Sequence, residues 1–315
     1  MSNPQPRPSP ALSVTALTRR RFARLTTLAA FSFAACLAGM PGQAAADTLA
    51  KVAESGVLTL GVRQASLPFS YVPEGQTDAI GYSVDLCMRV ADAVREQLGL
   101  ERLEVRQVVV TPSDRMERLE DGTIDLECGS TTNTRDRQQR VAFSYTTFVT
   151  GVRMAVLRDS GIEQVEDLEG KTIVTTKGTS TERLLVRENE MGFLRGTQLS
   201  FAQDHAESFK QVADAKAVAF FMDDILLAGL ITRSESPDRY NITGRYLTVE
   251  PYALMFRKDD ATFADLVNQT LATLMSDGEI QRIYARWFVT PTLNFPLTRM
   301  TREAFAYPNT TPAFP

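Results

Sequence analysis

One histidine and three cysteines are all that this 315-residue chain holds of two residue types that often build catalytic or metal centres. A Ser-His-Asp triad, a Cys-His pair or a multi-histidine metal site would have to run through His205, and no such constellation is legible around it. Neither a GxGxxG nor a Walker A loop is present, so the nucleotide-binding signatures are missing too. No long basic run interrupts the chain, which disfavours nucleic acid and anionic lipid as partners. The apolar stretch at about residues 25–38 is too short and too rich in Ala and Ser to span a bilayer, which takes about 20 apolar residues.

Residues 1–46 stand apart. They carry Arg7, Arg19, Arg20, Arg21 and Arg24, no Asp or Glu, and then the apolar stretch, the order of a secretory signal. Thr18-Arg19-Arg20-Arg21-Phe22 resembles the twin-arginine pattern, which leaves two export routes open. Ala44-Ala45-Ala46 supplies the small residues for cleavage near Ala46, and Phe33-Ala34-Ala35-Cys36 is a poor lipidation box, so release as a soluble protein is expected. Removing these five arginines from 34 basic and 38 acidic residues leaves 29 and 38, a net charge of −9. In an oxidising exported location, the remaining Cys87 and Cys128 are either paired or separately buried.

Composition at this length, 43% apolar and 23% charged, fits a soluble protein of two domains. A helix ends at 51–56, and the β-branched run 57–63 reads as a buried strand. From Ser83 the apolar residues Val84, Cys87, Met88, Ala91, Val94 and Leu98 recur at spacings of three and four, with Ser83 placed to cap and Gly99 to stop a helix. Strand 104–110, helix 113–120 and strand 123–128 follow, and the alternation implies a largely parallel sheet. A second alternating block has strands at 171–175, 199–201 and 217–222, and helices at 181–189 and 205–213. Strand 252–256 and helices 261–276 and 279–288 come last and are expected to return to the first lobe. Chain crossings near 150–152 and 250–251 then form a hinge. The expected division is residues 47–151 plus 251–296 for lobe 1, 152–250 for lobe 2 and 297–315 for a tail.

Two loops carry ligand chemistry. Thr179 and Glu182 have capping-box spacing at a helix start whose free amides suit a carboxylate, or simply form a cap. Gly129-Ser130-Thr131-Thr132-Asn133-Thr134-Arg135-Asp136-Arg137 follows a strand end, where α/β folds bind ligands, although a solvated charged loop has the same composition. Arginine holds a carboxylate with two parallel hydrogen bonds and the hydroxyls serve its neighbours.

From about residue 50 to 288 the sequence resembles the amino-acid-binding proteins of polar amino acid ABC transporters, bacterial solute-binding protein family 3, in its glutamate/aspartate-binding subgroup. The carrying stretches are Leu67-Pro68-Phe69-Ser70-Tyr71, Gly81-Tyr82-Ser83-Val84-Asp85-Leu86, Leu126-Glu127-Cys128-Gly129-Ser130-Thr131-Thr132-Asn133, Asp204-His205-Ala206-Glu207-Ser208-Phe209, Met222-Asp223-Asp224 and Arg257-Lys258-Asp259-Asp260. The resemblance implies an α/β, two-lobed periplasmic-binding-protein fold, each lobe a mostly parallel sheet flanked by helices, joined by a two-strand hinge. It implies that Arg137, with Ser130 and Thr132, clamps the ligand α-carboxylate and that Asp223 takes the α-ammonium. Arg63, Arg115 and His205 match positions that read a side-chain carboxylate, Ser180 joins from the second lobe, and Phe69 is expected to line the pocket. It also favours a Cys87–Cys128 disulfide.

Two departures from the subgroup are Pro112, where a serine is frequent, and Thr179-Ser180 in place of Thr-Thr. The first leaves the choice between glutamate and aspartate open. The expected role is capture of L-glutamate or L-aspartate in the periplasm by a monomer that delivers it to ABC permease subunits, with no cofactor, no metal and no catalysis. A dehydratase-like enzyme and a sensory ligand-binding module are the rival readings on the same fold; turnover of a cyclic substrate or a partner receptor would mark them.

Overall fold

The computed structural model describes residues 47–313. The expected signal segment, its twin-arginine pattern, the cleavage site at Ala46 and Cys36 all lie outside the described residues.

Two five-stranded mixed sheets organise the described chain. In the first the spatial order is Glu104–Val109, Val57–Val62, Leu126–Glu127, Met255–Arg257, Val141–Phe143. Its first three strands are parallel, and Met255–Arg257 runs antiparallel to both neighbours. The second has the order Gln198–Ala202, Thr172–Thr176, Ala219–Asp223, Val152–Leu157, Tyr240–Thr243, with the first three again parallel and the last two pairings antiparallel. The strands at the sheet centres are buried along nearly their whole length, as β-branched and aromatic runs without alternation require.

The helix Tyr82–Gln97 buries Val84, Leu86, Cys87, Val90, Ala91 and Val94, and turns Met88 toward solvent. Ser83 does not cap it. Gly81 is the N-cap, and the Ser83 hydroxyl donates to the Gly129 carbonyl (2.7 Å), tying the helix start to the loop after the central strand. A Cβ on Gly81 would lie 2.3 Å from the Phe69 carbonyl oxygen, and its φ of +144° is open to glycine, so this close approach needs the residue present. Cys87 and Cys128 form a disulfide (Cα–Cα 6.2 Å), which decides between the paired and separate readings.

Helices Ala261–Ser276 and Glu279–Phe288 have the expected bounds, and the first packs on Tyr82–Gln97. Other expectations need correction. Strand 123–128 is reduced to Leu126–Glu127, because the preceding turn still holds Ile124 N–H on the Arg118 carbonyl. The expected strand 252–256 is two strands, Glu250–Tyr252 and Met255–Arg257, because the chain leaves one pairing and joins another at Ala253 and Leu254. Tyr252 pairs with Phe148 and Glu250 with Thr150, in a two-stranded ribbon of Glu250–Tyr252 against Phe148–Thr150. Beyond residue 297 the helix Arg299–Ala306 packs against Phe148–Thr150 and Ala261–Ser276.

An aromatic cluster lies beside the ribbon. Phe148 stacks on Phe288 (4.9 Å between centroids), Phe288 on Tyr284 (4.4 Å), and Phe69 meets Phe148 and Tyr252 edge-on (4.9 and 5.1 Å). Such pairs contribute about 0.5–1.5 kcal/mol each beyond area burial. The cluster therefore stiffens one side of the ribbon.

Candidate functional site

Every parallel strand named above ends at a residue or loop of one recess. Arg63 follows Val57–Val62, Arg115 begins the helix Arg115–Glu120 after Glu104–Val109, and Ser130 and Thr132 follow Leu126–Glu127. Thr179 and Ser180 follow Thr172–Thr176, His205 follows Gln198–Ala202, and Asp223 ends Ala219–Asp223. Parallel α/β sheets expose their loops at the carboxyl ends of the strands, which is why sequence-distant residues meet there. With Arg137, Met222 and Leu226 these side chains line one narrow recess.

Eight of the nine sequence-predicted binding residues come together in this way. Phe69 does not: it is 1% exposed and its ring belongs to the aromatic cluster beside the ribbon. A phenylalanine in a loop between short strands is as well suited to a core as to a pocket, and here the core takes it. The apolar lining comes from Met222 and Leu226 instead. The sequence signal for them was their place beside Asp223 at a strand end.

Arg63, Arg115 and Arg137 are each no more than 3% exposed. Arg137 is fixed from both sides, donating to the Thr132 carbonyl (2.7 Å) and to the Gly178 carbonyl (3.0 Å). Arg115 donates to Thr131 Oγ1, which donates in turn to Glu127 (2.7 Å), and its guanidinium lies 3.7 Å from the Glu127 carboxylate. Glu127, wholly buried behind the recess, was not foreseen from the sequence. Burial holds the Arg63 guanidinium down to about 9, with Arg115 pushing the same way and Glu127 opposing. Burial, then Arg115 and Arg183, also hold Arg137 well below the usual arginine value.

His205 stands at the first position of the helix His205–Ala213, which Asp204 caps by accepting from Glu207 N–H (2.9 Å). Its Nδ1 is 2.9 Å from Thr176 Oγ1, which leaves Nε2 as the ring nitrogen free for a ligand. Burial, then Arg63 and Arg115, hold its pKa well below the usual value, so the ring is neutral. Asp223 accepts from Tyr252 OH, and burial with Glu250 nearby pushes its carboxyl well above the usual range.

Four polar atoms of this recess have no hydrogen-bond partner among the described residues although they are buried: Arg63 Nε, Arg115 Nε, Ser130 Oγ and Asp223 Oδ1. A buried unpaired polar group costs about 1–3 kcal/mol, so four in one place are the mark of a site that completes its bonding with a ligand. Donors outnumber acceptors, and a ligand with anionic groups and one cationic group matches them.

The second strand–helix loop behaves as a cap with a shifted partner. Thr179 accepts from Glu182 N–H (3.0 Å), but Glu182 reaches back to Gly178 N–H (2.6 Å), one residue further than the capping box prescribes. Ser180 Oγ lies 3.3 Å from Thr132 Oγ1 and donates to Glu250 (2.8 Å), so the loops from the two sheets touch across the recess. Among the described residues no cluster of three or more His, Cys, Asp or Glu is placed to hold a metal ion, and no helix is long and apolar enough to cross a membrane.

Two sheets joined by a ribbon, with a polar recess at their facing strand ends, define a class of ligand-capturing protein. The model of the bacterial extracellular solute-binding proteins, family 3, matches residues 58–290, and the chain belongs to that family. The L-glutamate/L-aspartate-binding protein of Pseudomonas aeruginosa is 40% identical over 267 residues, covering 83% of this chain and 88% of the relative. The glutamate/aspartate import solute-binding protein of Escherichia coli K12 is 38% identical over 272 residues, 84% of this chain and 89% of the relative. These relatives are binding proteins, not enzymes. Among solved structures, a solute receptor for L-cysteine of Neisseria gonorrhoeae superposes with a TM-score of 0.69 at 21% identity, over 80% of this chain and 98% of that one. A cysteine-binding protein from Campylobacter jejuni gives 0.69 at 23%, over 80% and 97%. At such identity these two share the fold alone.

Proposed function

We propose that this protein captures L-glutamate or L-aspartate outside the cytoplasm, in the periplasm, and delivers it as a monomer to the permease of an ABC importer. The observation that carries the reading is the set of three buried arginines around the buried carboxylate of Asp223, whose Oδ1 has no partner among the described residues. An acidic amino acid has two carboxylates and one ammonium. In this reading Arg137, Ser130 and Thr132 take the α-carboxylate, Asp223 the α-ammonium, and Arg63, Arg115 and His205 Nε2 the second carboxylate. Met222 and Leu226 pack on the methylenes. The kinship with the two glutamate/aspartate-binding relatives supports the same ligand class.

Residues 47–151 with 251–296 form one lobe of this proposal and residues 152–250 the other. The paired segments Phe148–Thr150 and Glu250–Tyr252 are the hinge about which they close. A ligand that bridges both lobes favours the closed form by its contacts to the second. Cleavage of the export signal near Ala46 belongs to the same proposal.

The test is calorimetric titration of L-glutamate, L-aspartate, L-glutamine and L-asparagine into protein unfolded and refolded to strip carried-over ligand. A neutral amide leaves a buried guanidinium uncompensated, which costs several kcal/mol, so the acids are expected to bind at least about a hundredfold tighter. Binding of the amides alone, or of none of the four, overturns the reading.

A further inference from the structure

The residues beyond the family match at 290 reach back to the ligand loop. After the helix Arg299–Ala306, the segment 309–313 runs along Asn133, the residue between Thr132 of the recess and Thr134, which caps the short helix bearing Arg137. Asn133 is wholly buried and every polar group on it is occupied. Its N–H donates to the Pro251 carbonyl of the ribbon (2.8 Å), and its carbonyl accepts from Ala313 N–H (2.8 Å). Its side-chain amide donates to the Thr310 carbonyl (3.0 Å) and accepts from Gln138 (2.9 Å), which itself donates to Thr310 (3.1 Å). Asn309 accepts from Thr146 N–H (3.0 Å), and Thr134 pairs with Ala313 as an isolated bridge.

From this convergence we infer that residues 309–313 are a positioning strap, which sets ligand affinity by holding the Thr132–Arg137 loop in its binding geometry against the ribbon. The bonds are chiefly to strap backbone, so geometry rather than side-chain identity carries them. A loop left free to move has to be ordered when ligand arrives, and that ordering opposes binding. Strap and ligand then favour the same loop conformation, and loss of the strap appears as faster ligand release. The inference rests on the reading of Arg137 and Thr132 as ligand-binding groups.

Two variants test it: a chain ending at Pro308, which keeps the helix Arg299–Ala306, and Ala313→Pro in the full chain, which deletes one strap N–H. Each is titrated with L-glutamate and L-aspartate, and release is followed by stopped flow beside a thermal melt of the ligand-free protein. The strap predicts dissociation constants raised about tenfold for the truncation and less for Ala313→Pro, by the same factor for both ligands, with release faster and association little changed. Unchanged affinity in a folded variant overturns the strap, even where the melt falls, because that segment then only stabilises the fold. Should the truncation not fold, Ala313→Pro decides alone. Absence of binding by the unaltered protein refutes instead the ligand reading on which the strap rests.

Discussion

Tyr252 donates its phenolic hydroxyl to Oδ2 of Asp223, while Oδ1 of the same carboxylate is buried without a partner among the described residues. Half of the acid is thus anchored to the ribbon and half faces the recess. The group is costly to the ligand-free fold: its raised pKa means that ionisation opposes folding at any pH above the unfolded carboxyl value. Asp223→Asn is expected to raise the ligand-free melting temperature by about 2 °C or more. The same change should weaken binding at least about a hundredfold by removing the negative charge opposite the ammonium. Differential scanning calorimetry and ligand titration of one preparation check both halves; a destabilised variant with intact affinity contradicts the assignment.

Selectivity should reside in Arg115 and its support. Arg115→Gln removes a cation from the second carboxylate while leaving the Arg137 clamp in place, so affinity for glutamate should fall about a hundredfold or more and affinity for glutamine far less. The ratio of the two, measured by competitive titration, is the readout. Equal losses for both ligands would move Arg115 from reading the side chain to holding the fold.

A pH dependence follows from His205. Its folded pKa lies well below the unfolded value of 6.5, so below pH 6.5 the unfolded chain binds a proton that the native ligand-free protein does not. Stability contributed by this group is therefore present above pH 6.5 and lost as pH falls, by up to about 1.4 kcal/mol per unit. The groups facing it are Arg63, Arg115 and Thr176, the first two of which oppose protonation. Denaturant midpoints between pH 7 and 5 should fall more steeply for the unaltered protein than for His205→Gln. Identical slopes would show that His205 is protonated in the fold.

Gly178 sits with φ +76°, and a Cβ there would lie 2.5–2.6 Å from backbone atoms of Pro112 and Ser113. Its carbonyl also accepts from Arg137. Gly178→Ala is expected to hold the two loops apart and weaken ligand binding about tenfold or more, beyond the strain of roughly 1 kcal/mol at a left-handed position. Small-angle scattering with and without ligand measures it: compaction should be smaller in the variant, and full compaction with normal affinity argues against closure at this contact.

Periodicity found the long helices because each has one buried stripe; Ala261–Ser276 and Glu279–Phe288 were legible to the residue. It missed Val152–Leu157 and Tyr240–Thr243, which form the antiparallel side of the second sheet. The helix Asp224–Thr232 was missed because apolar residues surround it on every side, and an unpatterned run is silent about its period. Ser83 looked like a cap because its type fits one, while Gly81, two residues earlier, makes a contact with Phe69 that only the folded chain contains. For the recess, the residue types at strand ends were informative, and resemblance supplied which of them converge. Glu127 and Thr131, which orient Arg115, were hidden because a buried acid in a strand reads in sequence like any solvent-facing one.

The bridge between Cys87 and Cys128 encloses the edge strand Glu104–Val109 and Arg115, but leaves Arg63 and Arg137 outside. One of the two guanidiniums proposed for the distal carboxylate thus rides on a covalently closed ring and the other on open chain. A single backbone cut anywhere between the two cysteines leaves the protein in one piece until the bond is reduced. A cut at the exposed Asp121 would therefore not by itself detach Arg115 from the fold.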